Sequence, residues 1–266
     1  MMEFLSSLPL WLLTTLVLLL SLSIGLAFSL GIQRLFRLKP TAEQADLAID
    51  LMQVSTAFIG ILLAFAGVLA WQNYDSAQTA IEEEAGTASQ LYRDLTVYGP
   101  DMAGARQDLR AYIASIVNEE WPAMREGSQS NTTEVRLIAL FDAVAEAKPA
   151  TGRENAIYQE AFSLLNTLVK LRRDRIGASE AEIPPALWVV AIAGSILTIA
   201  YAAAFIGSRY ALLMIAGTSL TIGLMFVFLL SVDNPFRGRG EIGAKPLIQL
   251  SSTFDTVDRT HFEPPT

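Results

Sequence analysis

The sequence predicts an all-α integral membrane protein, with four transmembrane helices and a soluble helical bundle inserted between spans two and three. Three observations predict it. Apolar residues make up 52% of the 266-residue chain, and they cluster in four blocks rather than spreading evenly. Each block has the length of about 20 residues that a helix needs to cross a hydrocarbon layer of about 30 Å. The one sizeable polar region, residues 72–183, falls between the second and third blocks, and no segment shows the period-two alternation of a half-buried strand.

Span one covers residues 8–32, with Trp11 near its outer edge as interfacial aromatics sit. A basic connector follows, with Arg34, Arg37 and Lys39 before Pro40. Thr41 then has Gln44 three residues on, the spacing of a capping box, in which each side chain satisfies the other's backbone N–H. Span two covers residues 47–71 and runs without a Gly/Pro stop into WQNYDSAQTAIEEEAGTASQLYRDLTVY. One helix is therefore expected to leave the bilayer and open the soluble domain, residues 72–183. Four helices are expected there, at 74–98, 102–125, 134–147 and 153–177, broken at Gly99-Pro100, at Gly127–Asn131 and at Pro149. Leu109, Tyr112, Ile113, Ile116 and Val117 make an apolar stripe on the second, and Tyr158, Phe162, Leu165, Leu168 and Val169 on the fourth; both read as bundle core. Span three follows Pro184-Pro185, with Trp188 at the interface, and covers residues 185–206; Gly207-Ser208-Arg209 reads as a tight turn, and span four covers 210–232. The small residues Gly194, Ser195, Gly217 and Gly223 suit close approach of membrane helices. Residues 233–266 form a polar C-terminal tail with a short helix expected at 246–258.

Composition excludes several functions. A net charge of −8 is the wrong sign for neutralising nucleic-acid phosphates. There is no cysteine, hence no disulfide framework or thiolate metal site, and the single histidine, His261, lies in the tail. No constellation supports catalysis, and no metal or cofactor is expected. The first apolar block is too long for a cleaved signal peptide and is expected to remain as a span.

Four spans place both termini and the soluble domain on one side. Lys170, Arg172, Arg173, Arg175, Arg237, Arg239 and Lys245 flank the spans there, against Arg34, Arg37, Lys39 and Arg209 on the other side. By the positive-inside rule the domain and termini face the cytoplasm, which makes this a multi-pass protein of the inner (plasma) membrane.

The turn after span four reads VDNPFRGRGEIGAKPL, and its Asp233, Pro235, Phe236 and Gly238 make a D-x-P-F-x-G pattern. Trp71, Tyr74, Ala77, Glu84-Ala85 and Leu91-Tyr92 follow span two. Tyr112 and Glu120-Trp121-Pro122 come next, and Arg172-x-x-Arg175-Ile176, Pro184 and Leu187-Trp188 precede span three. In this order the set resembles a widespread family of bestrophin-like bacterial membrane proteins. More widely, Asn234-Pro235-Phe236 and WQNYD at 71–75 are similar to the turn after span four and to the segment following the pore helix of bestrophin channels. That resemblance implies a homopentameric channel with a cytosolic helical domain and a pore lined by span two. The acidic calcium clasp of those channels has no counterpart; Arg237-Gly238-Arg239-Gly240 stands in its place, and a site poor in carboxylates is a poor calcium site.

On span two, Asp50, Gln53, Ala57, Gly60, Ile61 and Ala64 share one face at three/four spacing. Around a shared axis Asp50 would form a carboxylate ring that attracts cations, with Gln53, Ala57 and Ile61 as the constriction. The other reading packs this face on spans one and four of the same chain. Phe58, Leu62, Phe65 and Leu69 form a rival face. Glu82-Glu83-Glu84 reads as a solvated helix face, and Glu84 and Glu120 are expected to pair with Arg172 and Arg175 across the bundle. Three functions remain open: an oligomeric passive ion channel in contact with membrane lipid and permeant ions; a non-conducting scaffold or sensor whose soluble domain binds a cytosolic protein partner; or a transporter, although no inverted repeat or broken span points to alternating access.

Overall fold

The computed structural model describes residues 9–36, 41–202, 209–233, 235–236 and 241–262. The described residues form helices joined by short turns, without a strand: α1 Leu10–Phe36, α2 Ala42–Tyr98, α3 Ala103–Ser115, α4 Trp121–Arg125, α5 Asn131–Ala145, α6 Gly152–Glu180, α7 Pro185–Ala202, α8 Arg209–Val232 and α9 Lys245–Phe262. Four of the helices are long and apolar enough to cross a membrane. The chain divides into a membrane unit, Met1–Asn73 with Glu182–Gly240, and a polar unit, Tyr74–Ala181 with Glu241–Thr266.

Helix α2 is unbroken for 57 residues: it contains no proline, and its internal Gly60, Gly67 and Gly86 do not interrupt it. Its start is set by the expected capping box: Gln44 N–H donates to Thr41 Oγ1 at 3.3 Å, and Thr41 N–H donates to Gln44 Oε1 at 3.1 Å. Its end falls at Gly99, whose φ of +123° lies where a side chain is rarely tolerated.

In the membrane unit α1 packs most extensively on α8, and small residues set the approach. A Cβ at Gly223 would stand 2.8 Å from Ser21 Oγ, and one at Gly25 would overlap Ser219 Oγ. Without a hydrophobic drive between helices in lipid, close packing of this kind holds spans together. Gly194 likewise leaves room for Ile59 of α2, and Gly67 for Phe228 of α8. Gly217, grouped with the small residues in the sequence, has nothing near it. The turn at Gly207-Ser208 and the connector from Arg37 to Pro40 lie outside the described residues, so α7 is followed only as far as Ala202.

In the polar unit, the single helix expected at 102–125 is α3 and α4 joined by a π-turn, Ile116–Glu120. Pro122 explains it: proline has no N–H and its ring crowds the carbonyl four residues back, so the helix widens just before it. Helix α5 starts at Ser130, whose Oγ accepts from Thr133 N–H at 3.3 Å. Helix α6 starts with a capping box between Thr151 and Glu154. The N–H groups of Ala150 and Thr151 donate to the Glu154 carboxylate and hold its pKa below the usual value. The core stripe of α6 is turned from the expected one: Ala161, Leu164, Leu165, Leu168, Leu171 and Ile176 are buried, while Tyr158, Phe162 and Val169 are half-buried. Phe162 packs edge-on against Phe141 of α5 at 5.9 Å, so the aromatics close the margin of the bundle and the aliphatics fill it.

The end of the chain is more ordered than a polar tail suggests. Helix α9 buries Leu247, Leu250 and Phe254 within the polar unit. The Phe254 ring stacks on Tyr92 with centroids 4.0 Å apart. Arg110 donates to Tyr92 Oη, Asp255 and Asp258 at 2.8–2.9 Å, and Tyr92 Oη–H donates to Asp258 at 2.7 Å. His261 is exposed, as expected of a tail residue.

Candidate functional site

The residues singled out in the sequence fall into three places. The first is α2 within the membrane unit. Ile59, Leu63, Ala66 and Ala70 are buried, and Ile59 and Gly67 meet α7 and α8. That is the face α2 gives to its own chain. Asp50, Gln53, Ala57, Gly60, Ile61 and Ala64 are all exposed in the single chain, Ile61 at 72% against 3% for Leu63. The rival face divides: Phe58 and Phe65 are exposed, Leu62 and Leu69 half-buried. Periodicity alone could not separate these faces, because the helix is apolar nearly all round; the glycines opposite Ile59 and Phe228 decide it.

The second place is the end of α8. Asp233 is buried and its Oδ1 accepts from Ile183 N–H at 2.8 Å, so the carboxylate ties the start of α7 to the end of α8. Burial, and after it the charge of Glu182, push the Asp233 carboxyl above its usual range, while the Ile183 N–H works against them. Phe236 is fully buried beside it, whereas Pro184 is exposed and Trp188 half-buried and stacked on Phe226 at 6.0 Å. Asn234 and Gly238 lie outside the described residues.

The third place is the core of the polar unit, where four of the singled-out charges meet. Arg175, fully buried, donates from Nε to Glu84 Oε2 at 2.5 Å and from Nη2 to Glu120 Oε2 at 2.7 Å. Arg172 donates from Nη2 to Glu120 Oε1 at 2.6 Å and pairs with the half-exposed Glu134. Glu84 belongs to α2, Glu120 to the π-turn, Glu134 to α5 and both arginines to α6, so one network ties four elements. The pairing of Glu84 and Glu120 with the two arginines is the one expected from sequence. Tyr112 Oη–H donates to Glu84 at 3.0 Å, and Met124 Sδ lies 2.9 Å from Arg175 Nη1. Burial alone would lower the Arg175 pKa; the Glu84 charge and hydrogen bond, with the Glu120 charge behind them, outweigh it and raise it. Burial and then the Glu84 charge raise the Tyr112 phenol well above its usual value. Such an array registers helices and has no vacant acceptor or nucleophile to offer. Within the acidic run, Glu82 and Glu83 are exposed and Glu84 turns inward.

Sequence reasoning placed Tyr112 in the core stripe and in the family pattern without pairing it to a carboxylate, and missed Glu134 and Met124. The burial of Glu120 and the spacing Tyr112-x7-Glu120 put the phenol and a carboxylate about two helical turns apart on one face, a signal readable only once Arg175 is known to lie opposite. Trp71 is exposed and Tyr74 half-buried, while Trp121 is buried with the Arg175 guanidinium 5.8 Å from its ring centroid. No group of three or more histidine, aspartate or glutamate side chains suited to a metal ion occurs among the described residues.

Comparison with curated proteins and with solved structures gave no match. A family comparison did: residues 19–247 match the Bestrophin-like domain, a stretch that takes in the second half of the first apolar helix, the other three apolar helices, the buried arginine–glutamate network and the Asp233 turn. The chain belongs to the bestrophin-like family.

Proposed function

We propose that this chain is one subunit of an oligomeric, passive ion channel in the inner membrane, with α2 lining the pore and the polar unit and both termini in the cytoplasm. The observation that carries the reading is the division of α2. One face packs on α7 and α8, and the face bearing Asp50, Gln53, Ala57, Gly60, Ile61 and Ala64 is left exposed by its own chain. A carboxylate and a carboxamide directed at lipid are costly, so this face calls for water or protein. Copies standing around an axis satisfy it, and the wider resemblance to bestrophin channels suggests five. A ring of Asp50 carboxylates then favours cations, and Ile61 supplies an apolar constriction. The polar unit's network holds the α2 extension against α6 and gives no support to an enzymatic role.

The test is ion flux through the full chain in liposomes, with and without Asp50→Ala. Wild-type vesicles conduct with a cation preference, and the variant conducts with that preference lost. A stable oligomer that carries no current under any ionic gradient overturns the channel reading. A second reading, a membrane scaffold whose polar unit docks a protein partner, draws on Val135 and Ile138, which stand exposed on α5. It predicts the same oligomer without flux.

A further inference from the structure

A cavity of about 680 Å³ opens between α1, α7 and α8 of the membrane unit, within the size range of small-molecule and lipid sites. Its lining is aliphatic along most of its length, with Leu20, Ile24, Ile192 and Ile196 on facing helices. One end is different. The Ile183–Asp233 hydrogen bond and the Trp188–Phe226 stack bring the start of α7 and the end of α8 together there, with Glu182 alongside. Three features of that end bear on an occupant. Trp188 Nε1–H is buried without an acceptor among the described residues. Two carboxylates, Glu182 and Asp233, border the cavity, and no lysine or arginine does so among the described residues. The stacked indole and phenyl rings present π-faces, which attract cations.

An acyl chain gains little by leaving lipid for an apolar cavity in the same membrane, so the polar end decides the occupant. An unpaired buried N–H is costly and is relieved by an oxygen acceptor. A pair of carboxylates without a basic neighbour is relieved by a cation. One class of molecule brings an alkyl chain, an anionic oxygen and an ammonium in that order. We infer that this cavity seats a membrane lipid with a phosphoethanolamine head: the tail lies between α1, α7 and α8, a phosphate oxygen meets Trp188 Nε1–H, and the ammonium sits at Glu182 and Asp233. The site is separate from the α2 face proposed for the pore and does not depend on conduction.

Native mass spectrometry of the full chain, released from bilayers holding equal phosphatidylethanolamine and phosphatidylglycerol, tests it. Wild type retains phosphatidylethanolamine over phosphatidylglycerol by about fivefold, the sum of one exposed ion pair and one cation–π contact. Glu182→Gln, a change at an exposed residue that leaves the fold intact, lowers the ratio to about twofold, the share left to the cation–π contact. Trp188→Phe lowers total retention of both lipids. Equal retention by the wild type, or a ratio that Glu182→Gln does not move, overturns the proposal. A second copy of the chain could instead fill the cavity. The chain has no native cysteine, so a single Ile192→Cys reports on this directly, and efficient disulfide-linked dimers through it overturn the lipid assignment.

Discussion

Arg175 and Glu84 lie 91 positions apart in the chain, yet the Arg175 Nε and Glu84 Oε2 are 2.5 Å apart and both side chains are wholly buried. The pair joins α6 to the polar half of α2. A buried ion pair of this kind adds little net stability over a well-packed apolar substitute, because desolvation offsets the attraction. Its consequence appears when one partner is removed.

Arg175→Met leaves Glu84 charged and dry, and is expected to destabilise the polar unit by about 3–5 kcal/mol. The double variant Arg175→Met with Glu84→Gln recovers much of that loss, since no unpaired charge remains. Arg175→Lys keeps the charge but not the fork that reaches Glu84 and Glu120 together, and falls between. Urea unfolding followed by far-ultraviolet circular dichroism in detergent ranks the three. A single Arg175→Met as stable as wild type would mean that Glu84 finds water.

Tyr112 gives the polar unit an alkaline limit. Folding raises its pKa, by burial first and the Glu84 charge second. The unfolded phenol titrates near 10. Its contribution is therefore complete below about pH 10 and is lost as pH rises from there toward the folded value. Thermal unfolding between pH 8 and 11 should fall more steeply for wild type than for Tyr112→Phe. Parallel curves would assign the alkaline loss to other groups.

Gly194 and Ile59 set how α2 meets α7. A Cβ at Gly194 overlaps Ile59 Cδ1, and the affected atom ends a flexible side chain. Gly194→Val is expected to cost about 1–3 kcal/mol through overpacking, and Ile59→Ala in the same chain should restore most of it. Comparison of the detergent half-lives of the two single variants and the double variant reads this coupling. Additive losses would show that the two residues do not share a contact.

Phe254 holds α9 to the polar unit through its stack on Tyr92. Truncation of a buried phenylalanine typically costs about 3–5 kcal/mol, here confined to the docking of one helix. Phe254→Ala should make the segment before Lys245 rapidly cleavable by protease while the remainder of the polar unit stays protected. Arg110→Ala should act in the same direction and more weakly, because its ion pairs with Asp255 and Asp258 are partly exposed. Equal protease resistance of wild type and Phe254→Ala would show that the ring stack is dispensable.

Much of the chain was legible from one dimension. Four apolar blocks, the unbroken run from Ala42 to Tyr98, the Thr41/Gln44 box and the breaks at Gly99 and Gly127 depend on neighbours a few residues away, and local periodicity and capping report such neighbours faithfully. The identities of the four charges in the buried network could also be named, because charged side chains in a helical core must find opposite partners. What the tertiary structure decided was orientation and company. It turned Ile59, Leu63 and Ala70 toward the chain itself and left Asp50 and Ile61 outside, added Met124 and Glu134 to the arginines and Tyr112 to Glu84, and docked α9 on Tyr92. These choices depend on which distant surface offers a glycine, a ring or a countercharge, and a helix that is apolar nearly all round carries no local record of that.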